Sequence, residues 1–160
     1  MSSMRPKVYL ETSVPSYLIS RPSRDLIVAA HQEVTREWWL SRRRDFALFV
    51  SQFVISECSA GDEDLARQRL RALRDIPSLE VIDEVSGLAN SLIAEGVIPQ
   101  KSAADAAHVA VATVHRMDFL LTWNCSHIAN ARIITRIRDV CRSDRYVCPV
   151  ICTPEELMED

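Results

Sequence analysis

Ser-Ala-Ala-Asp-Ala-Ala-His-Val-Ala-Val-Ala-Thr-Val-His-Arg (102–116), followed at once by Met-Asp-Phe-Leu-Leu-Thr-Trp-Asn (117–124), holds one complete helix-to-strand unit. The first segment is apolar almost all round: Ala103, Ala104, Ala106, Ala107, Val109, Ala110, Val111, Ala112 and Val114 leave little for water. A helix without a polar face is a buried helix, and small side chains let it approach a sheet closely. Phe119–Thr122 then reads as a short strand.

The same alternation runs through the rest of the chain. Val8–Leu10 reads as a buried strand, and Thr12-Ser13-Val14-Pro15 follows with an N-cap residue and an early proline, so a helix starts there. Arg24–Arg44 predicts a long helix with Leu26, Ala29, Ala30, Val34 and Trp38 on its inner face, and Asp45 introduces the strand Phe46–Val50. Phe53–Cys58 starts a short helix stopped at Gly61. Asp62–Arg74 is amphipathic, with Leu65, Ala66, Leu70 and Leu73 inward, and ends near Pro77. Leu79–Ile82 is the next strand, Val85–Glu95 a helix ending at Gly96, Ile128–Cys141 a helix, and Cys148–Cys152 a last strand before the polar tail Pro154–Asp160. Strands separated by helices imply βαβ units and a mostly parallel sheet covered on both faces. The expected fold class is α/β, a three-layer α/β/α sandwich.

The 160 residues suit a single domain over 1–160, and with three glycines and no long Ser/Pro/Gly tract there is no linker to divide it. Met-Ser-Ser-Met-Arg-Pro-Lys carries charge without a following apolar run, and no stretch approaches the roughly 18 apolar residues of a membrane helix. A cytoplasmic protein without membrane partners is expected. Five cysteines, with no Cys-x-x-Cys, argue against a disulfide framework and a structural zinc site; Cys148 and Cys152 are expected to share one strand face. A net charge of −3 is not what a protein that holds nucleic acid by bulk charge usually shows, so contact with phosphates is expected to be local. Local cations remain, in Arg36 with Arg42-Arg43-Arg44 and in Arg132, Arg136, Arg138, Arg142 and Arg145. Their plainer reading is a solvated helix face balanced by Glu33, Glu37 and Asp45.

In parallel sheets ligands bind beyond the carboxyl ends of the strands. Glu11 falls at that end of the first strand, Ser51 at that of the second, and Thr122-Trp123-Asn124 at that of the fourth. Glu57 and Asp105 join them if the helix from Ser102 begins on the same edge. Carboxylates brought together raise one another's pKa unless a cation intervenes. Mg²⁺ or Mn²⁺ suits such an all-oxygen site. The alternative is a set of separate caps: Asp105 stands at capping-box spacing after Ser102, Glu57 is a solvated side chain, and Thr12 or Ser13 is an ordinary N-cap. Glu11 resists that reading, because a carboxylate after Val8-Tyr9-Leu10 is costly unless solvated, paired or bound to metal.

Val-Tyr-Leu-Glu-Thr-Ser-Val-Pro-Ser-Tyr (8–17), Val-Ile-Ser-Glu-Cys (54–58), Ala-Asp-Ala-Ala-His-Val-Ala (104–110) and Phe-Leu-Leu-Thr-Trp-Asn (119–124), in this order, resemble the PIN domain from Lys7 to Thr153. The resemblance implies an α/β/α sandwich acting as a Mg²⁺- or Mn²⁺-dependent ribonuclease on RNA. Many small bacterial members are VapC-type toxins held by a partner antitoxin, and a homodimer is expected. The family's acidic positions fall on Glu11, Glu57 and Asp105 as catalytic and metal-holding residues. Two departures stand out: Glu11 replaces the usual Asp, and Asn124 replaces a usual acid while keeping a carbonyl oxygen for the metal. Thr12, Ser13 and Thr122 are expected to orient a ligand or phosphate, and His108, one turn after Asp105, to support or pack beside the site. Asp118 precedes its strand and is expected at the opposite edge. Trp38 fits the buried stripe; Trp39 points elsewhere, toward an unpaired base or a protein partner. The rival reading is a PIN-like module that binds RNA or protein without cutting. A Rossmann-like nucleotide binder is disfavoured, since neither Gly-x-Gly-x-x-Gly nor Gly-x-x-x-x-Gly-Lys-Ser/Thr occurs.

Overall fold

A computed structural model of the chain describes residues 4–159; residues 1–3, which open the segment read for a leader, and Asp160 of the polar tail lie outside the described residues. Lys7–Leu10 (β1), Ala47–Ser51 (β2), Ser78–Leu79 (β3), Phe119–Leu121 (β4) and Val150–Cys152 (β5) pair in parallel throughout, in the order β3-β2-β1-β4-β5. The helices are Ser13–Ile19 (α1), Leu26–Ser41 (α2), Gln52–Cys58 (α3), Glu63–Leu73 (α4), Asp83–Ala94 (α5), Ala103–Val114 (α6) and Ala131–Ser143 (α7). No helix among the described residues is long and apolar enough to cross a membrane.

β1 sits at the centre: Val8, Tyr9 and Leu10 are fully buried, and Lys7 at its start is partly exposed. From β1 the chain steps outward to β2 and β3, then crosses to β4 on the other side of β1 and on to β5. Right-handed crossovers put the helices of these opposite steps on opposite faces. Accordingly α1 packs on α2 and α4, while α5 packs on α6 and α7. The molecule is a three-layer α/β/α sandwich. The divergence also opens a crevice beyond the carboxyl ends of β1 and β4, where such sheets bind ligands.

Local chemistry sets the element ends. Asp25 accepts from the amides of Ile27 and Val28, Asp62 from that of Leu65, and Asn130 from that of Arg132, capping α2, α4 and α7. Gly61 and Gly96 follow α3 and α5 at φ 84° and 72°, a conformation that a Cβ strains. Between the layers, Phe46 stacks on Trp38 and meets Phe119 edge to face. Ala106, Val109, Ala110, Val111 and Ala112 of α6 are fully buried as expected, whereas Ala103 and Ala104 in its first turn are exposed and Ala107 and Val114 half-buried, so the helix has an outer face after all. Among the described residues no acceptor meets the buried Trp38 indole N–H.

Several expectations are corrected. The helix predicted over Arg24–Arg44 starts at Leu26, after its Asp25 cap, and Leu26 is 86% exposed. Its buried line is Gln32, Thr35 and Trp38 rather than an apolar stripe. Hydrogen bonds make this affordable: Gln32 binds Ser20 Oγ, the Arg21 carbonyl and the Ser23 amide, and Thr35 accepts from the Trp123 indole. The strand predicted at Leu79–Ile82 shrinks to Ser78–Leu79 at the sheet edge, where Val81 is 41% exposed. The last strand begins at Val150, so Cys148 shares no strand face with Cys152. α7 begins at Ala131, because Ile128 and Ala129 turn back to the Asn124 carbonyl. One face of the Trp39 ring is covered by the Arg43 guanidinium, 4.0 Å above it.

Candidate active site at the carboxyl edge of the sheet

Glu11 ends β1 with its amide bonded to the Leu121 carbonyl, which fixes it against the end of β4. The residue is 5% exposed. Burial of that charge is offset by three donors on one oxygen: Oε1 accepts from the Ser13 amide (3.1 Å), Ser13 Oγ (2.5 Å) and Thr122 Oγ1 (2.6 Å). None of the described donors reaches Oε2. Thr122 in turn accepts from the Asn124 amide at 2.9 Å, and Ser13 Oγ from the Trp123 amide at 2.7 Å.

Glu57, in α3, is tied to the same edge by Thr12, whose hydroxyl donates to Oε1 at 2.9 Å. The cap expected of Thr12 does not form; the hydroxyl goes to Glu57 instead. The second partner of Oε1 is His108 Nε2. His108 lies on the fully buried face of α6, and its Nδ1 meets the Tyr9 hydroxyl at 2.7 Å; that hydroxyl is 2.7 Å from Ser51 Oγ as well. Burial pushes the Tyr9 phenol up, so it keeps its single proton and donates to one of these two neighbours at a time. For Glu57, burial acts to raise the carboxyl. The hydrogen bond and charge of His108, with the Thr12 hydroxyl, outweigh it and hold the group below its ordinary range. Crowded carboxylates alone would shift it the other way.

Asp105 stands in the first turn of α6, and the capping reading fails there: Ser102 makes no side-chain cap bond, and a 3₁₀ turn at Gln100–Ser102 precedes the helix. Its carboxylate is held from the segment after β4. Oδ1 accepts from Asn124 Nδ2 at 3.0 Å, and Oδ2 pairs with His127 Nδ1 at 3.0 Å. Asn124 Oδ1 accepts the His127 amide at 3.1 Å. Asn124 therefore turns its amide nitrogen toward Asp105, and its carbonyl, expected to face a metal, closes the turn to His127.

Glu11, Glu57 and Asp105 thus meet one edge in two hydrogen-bonded chains, one from Ser51 and Tyr9 through His108 and Glu57 to Thr12, the other from Ser13 and Glu11 through Thr122 and Asn124 to Asp105 and His127, which adjoin where Thr12 precedes Ser13 in the backbone. Asp118 lies at the opposite edge, where it accepts the Lys7 amide at 2.8 Å. The donor type suits a hard cation: all-oxygen, with Oε2 of Glu11 and of Glu57 outside the described hydrogen bonds. The spacing is a separate matter. Among the described residues, no group of three or more His, Cys, Asp or Glu side chains is arranged to hold a metal ion. Each carboxylate has its own hydrogen-bond partners.

Sequence reasoning missed His127 and Tyr9, and placed Ser51 at this edge without its partner. Tyr9 looks like strand packing and Ser51 like a strand end; their role arises only when β1, β2 and α6 meet. His127 carried a weak signal, lying one turn beyond Asn124 in a polar stretch. No protein-family model matches the chain, and no curated protein is detectably similar to it.

Proposed function

We propose that the chain is a divalent-cation-dependent endoribonuclease of PIN type, hydrolysing phosphodiester bonds of RNA at the carboxyl edge between β1 and β4. The observation that carries this reading is the convergence of Glu11, Glu57 and Asp105 on that edge, Glu11 and Asp105 linked through Thr122 and Asn124, and Glu57 held by Thr12 beside Ser13. Glu11 and Glu57 would hold Mg²⁺ or Mn²⁺ through their Oε2 oxygens, with Asp105 as third ligand. Such an ion supplies polarisation of the phosphodiester and a more acidic water. Ser13 and Thr122 orient Glu11; Thr12 and His108 orient Glu57; Asn124 and His127 orient Asp105.

A protein partner, as an antitoxin or a second copy, is part of the proposal. The exposed Leu26, Ile27 and Leu40 support it, as does an apolar hollow of about 300 Å³ bounded by Leu18, Ile19, Arg36, Trp39, Leu40 and Ala72. The non-cleaving alternative has its own support in the private partners of each carboxylate, His127 on Asp105 above all. Incubating the purified protein with structured RNAs and Mg²⁺ or Mn²⁺, with and without EDTA, separates the two. Cleavage confined to loops or single strands and stopped by EDTA is expected. Cleavage that persists in EDTA contradicts the metal reading, and RNA binding with no cleavage favours the alternative.

A further inference from the structure

Three rings cluster beside this edge. His31 of α2 lies flat on Trp123, with centroids 4.0 Å apart and planes 11° from parallel, and Tyr17 of α1 leans on both at 6.3 Å. Trp123 is 7% exposed and anchored through Nε1 to Thr35, so the open ring surface belongs to Tyr17 and His31, both half-buried. The cluster is fixed to the acidic edge at two points: the Trp123 amide donates to Ser13 Oγ, itself bonded to Glu11, and Tyr17 lies one turn after Ser13 on α1. The loop joining the helices that carry Tyr17 and His31 contributes an exposed Arg24.

We infer that Tyr17 and His31, backed by Trp123, form a stacking platform for an unpaired base of the RNA next to the bond presented to Glu11 and Thr122. The inference rests on the ribonuclease reading for its ligand. A partly open imidazole stacked on a buried indole, with the tilted Tyr17 ring beside it, offers a base a π face at small entropic cost. Stacking of this kind tolerates any base, so the platform selects single-stranded over paired RNA rather than a sequence. Arg24 supplies a cation for the adjoining phosphate. A protein side chain is the competing occupant, and it gives no dependence on a base.

The test uses the whole chain and a fluorescein-labelled single-stranded RNA, with anisotropy read for the intact oligonucleotide and for versions carrying one abasic residue at each position in turn. One abasic position is expected to weaken binding about tenfold, the magnitude of losing one stacked base. Tyr17→Leu and His31→Leu are expected to lose a similar factor and to become insensitive to that abasic position, while Tyr17→Phe behaves as the parent. The abasic series on the unaltered protein stands even if a variant fails to fold. Equal affinity for every abasic version, or no binding of single-stranded RNA, overturns the platform. Base-dependent binding without cleavage under Mn²⁺ supports the platform while removing the nuclease reading; cleavage indifferent to both Leu substitutions does the reverse.

Discussion

Asp105 spends one lone pair of each oxygen on its described contacts, Oδ1 on Asn124 and Oδ2 on His127, and keeps the others for a cation. Asp105→Asn keeps the shape but exchanges an acceptor for a donor facing one of those partners. Cleavage is expected to vanish while the melting temperature moves by a few degrees at most; a large loss of stability with normal activity assigns Asp105 to structure. Asn124→Asp is expected to act in the opposite sense. It sets two carboxylates within hydrogen-bond reach, which repel each other in EDTA and attract a divalent cation otherwise. Stability should therefore fall in EDTA and recover with Mn²⁺, and a loss that Mn²⁺ does not restore contradicts the placement of Asn124 at the site. Glu57 makes a prediction in pH. Its folded carboxyl titrates below the ordinary 4.5, so its stabilising contribution is full above that value and is lost as pH falls through the lower folded value. The stability difference between parent and Glu57→Gln, measured by urea unfolding, should shrink as pH drops below 4.5; a constant difference contradicts the pairing with His108.

At the scale of the element, what the sequence makes legible is the alternation of strands with helices, and what it hides is polar burial. α6 could be read because a run such as Ala106 to Ala112 has only one stable location, between layers. α2 could not be oriented, because its inner line contains Gln32 and Thr35, whose partners Ser20, Arg21, Ser23 and Trp123 are supplied by other segments. For the same reason Glu11, Glu57 and Asp105 were legible as candidates, but the identity of each partner was not: His108 and His127 reach their carboxylates only through the packing of α6 against α3 and the turn after β4. The ends of α2 obey local chemistry, and Asp25→Ala should cost about 1 kcal/mol in urea unfolding by freeing the amides of Ile27 and Val28. No measurable loss contradicts that cap.

For the molecule as a whole, thiol exposure checks the packing of both layers at once. Cys125 is exposed, whereas burial pushes the Cys58 thiol up to about 11 and that of Cys152 up to about 12. A thiolate-directed reagent at pH 8 should label Cys125 quickly, and Cys58 and Cys152 only on unfolding; rapid labelling of either contradicts the layer covering it. The architecture also explains why residues so far apart in sequence can act together: β1 and β4 are neighbours at the divergence of the sheet, and the elements after them carry Glu11, Thr122 and Asn124 to one edge. The central claim is that Glu11, Glu57 and Asp105 there work as one cation site. Mn²⁺ titration calorimetry on the parent, on Glu11→Gln, on Asp105→Asn and on the double substitution tests it most directly. Coupled ligands of one site predict that the parent binds Mn²⁺, that each single substitution weakens binding about tenfold or more, and that the double loses less than the product of the two factors. No Mn²⁺ binding by the parent, or losses that multiply independently, would contradict it.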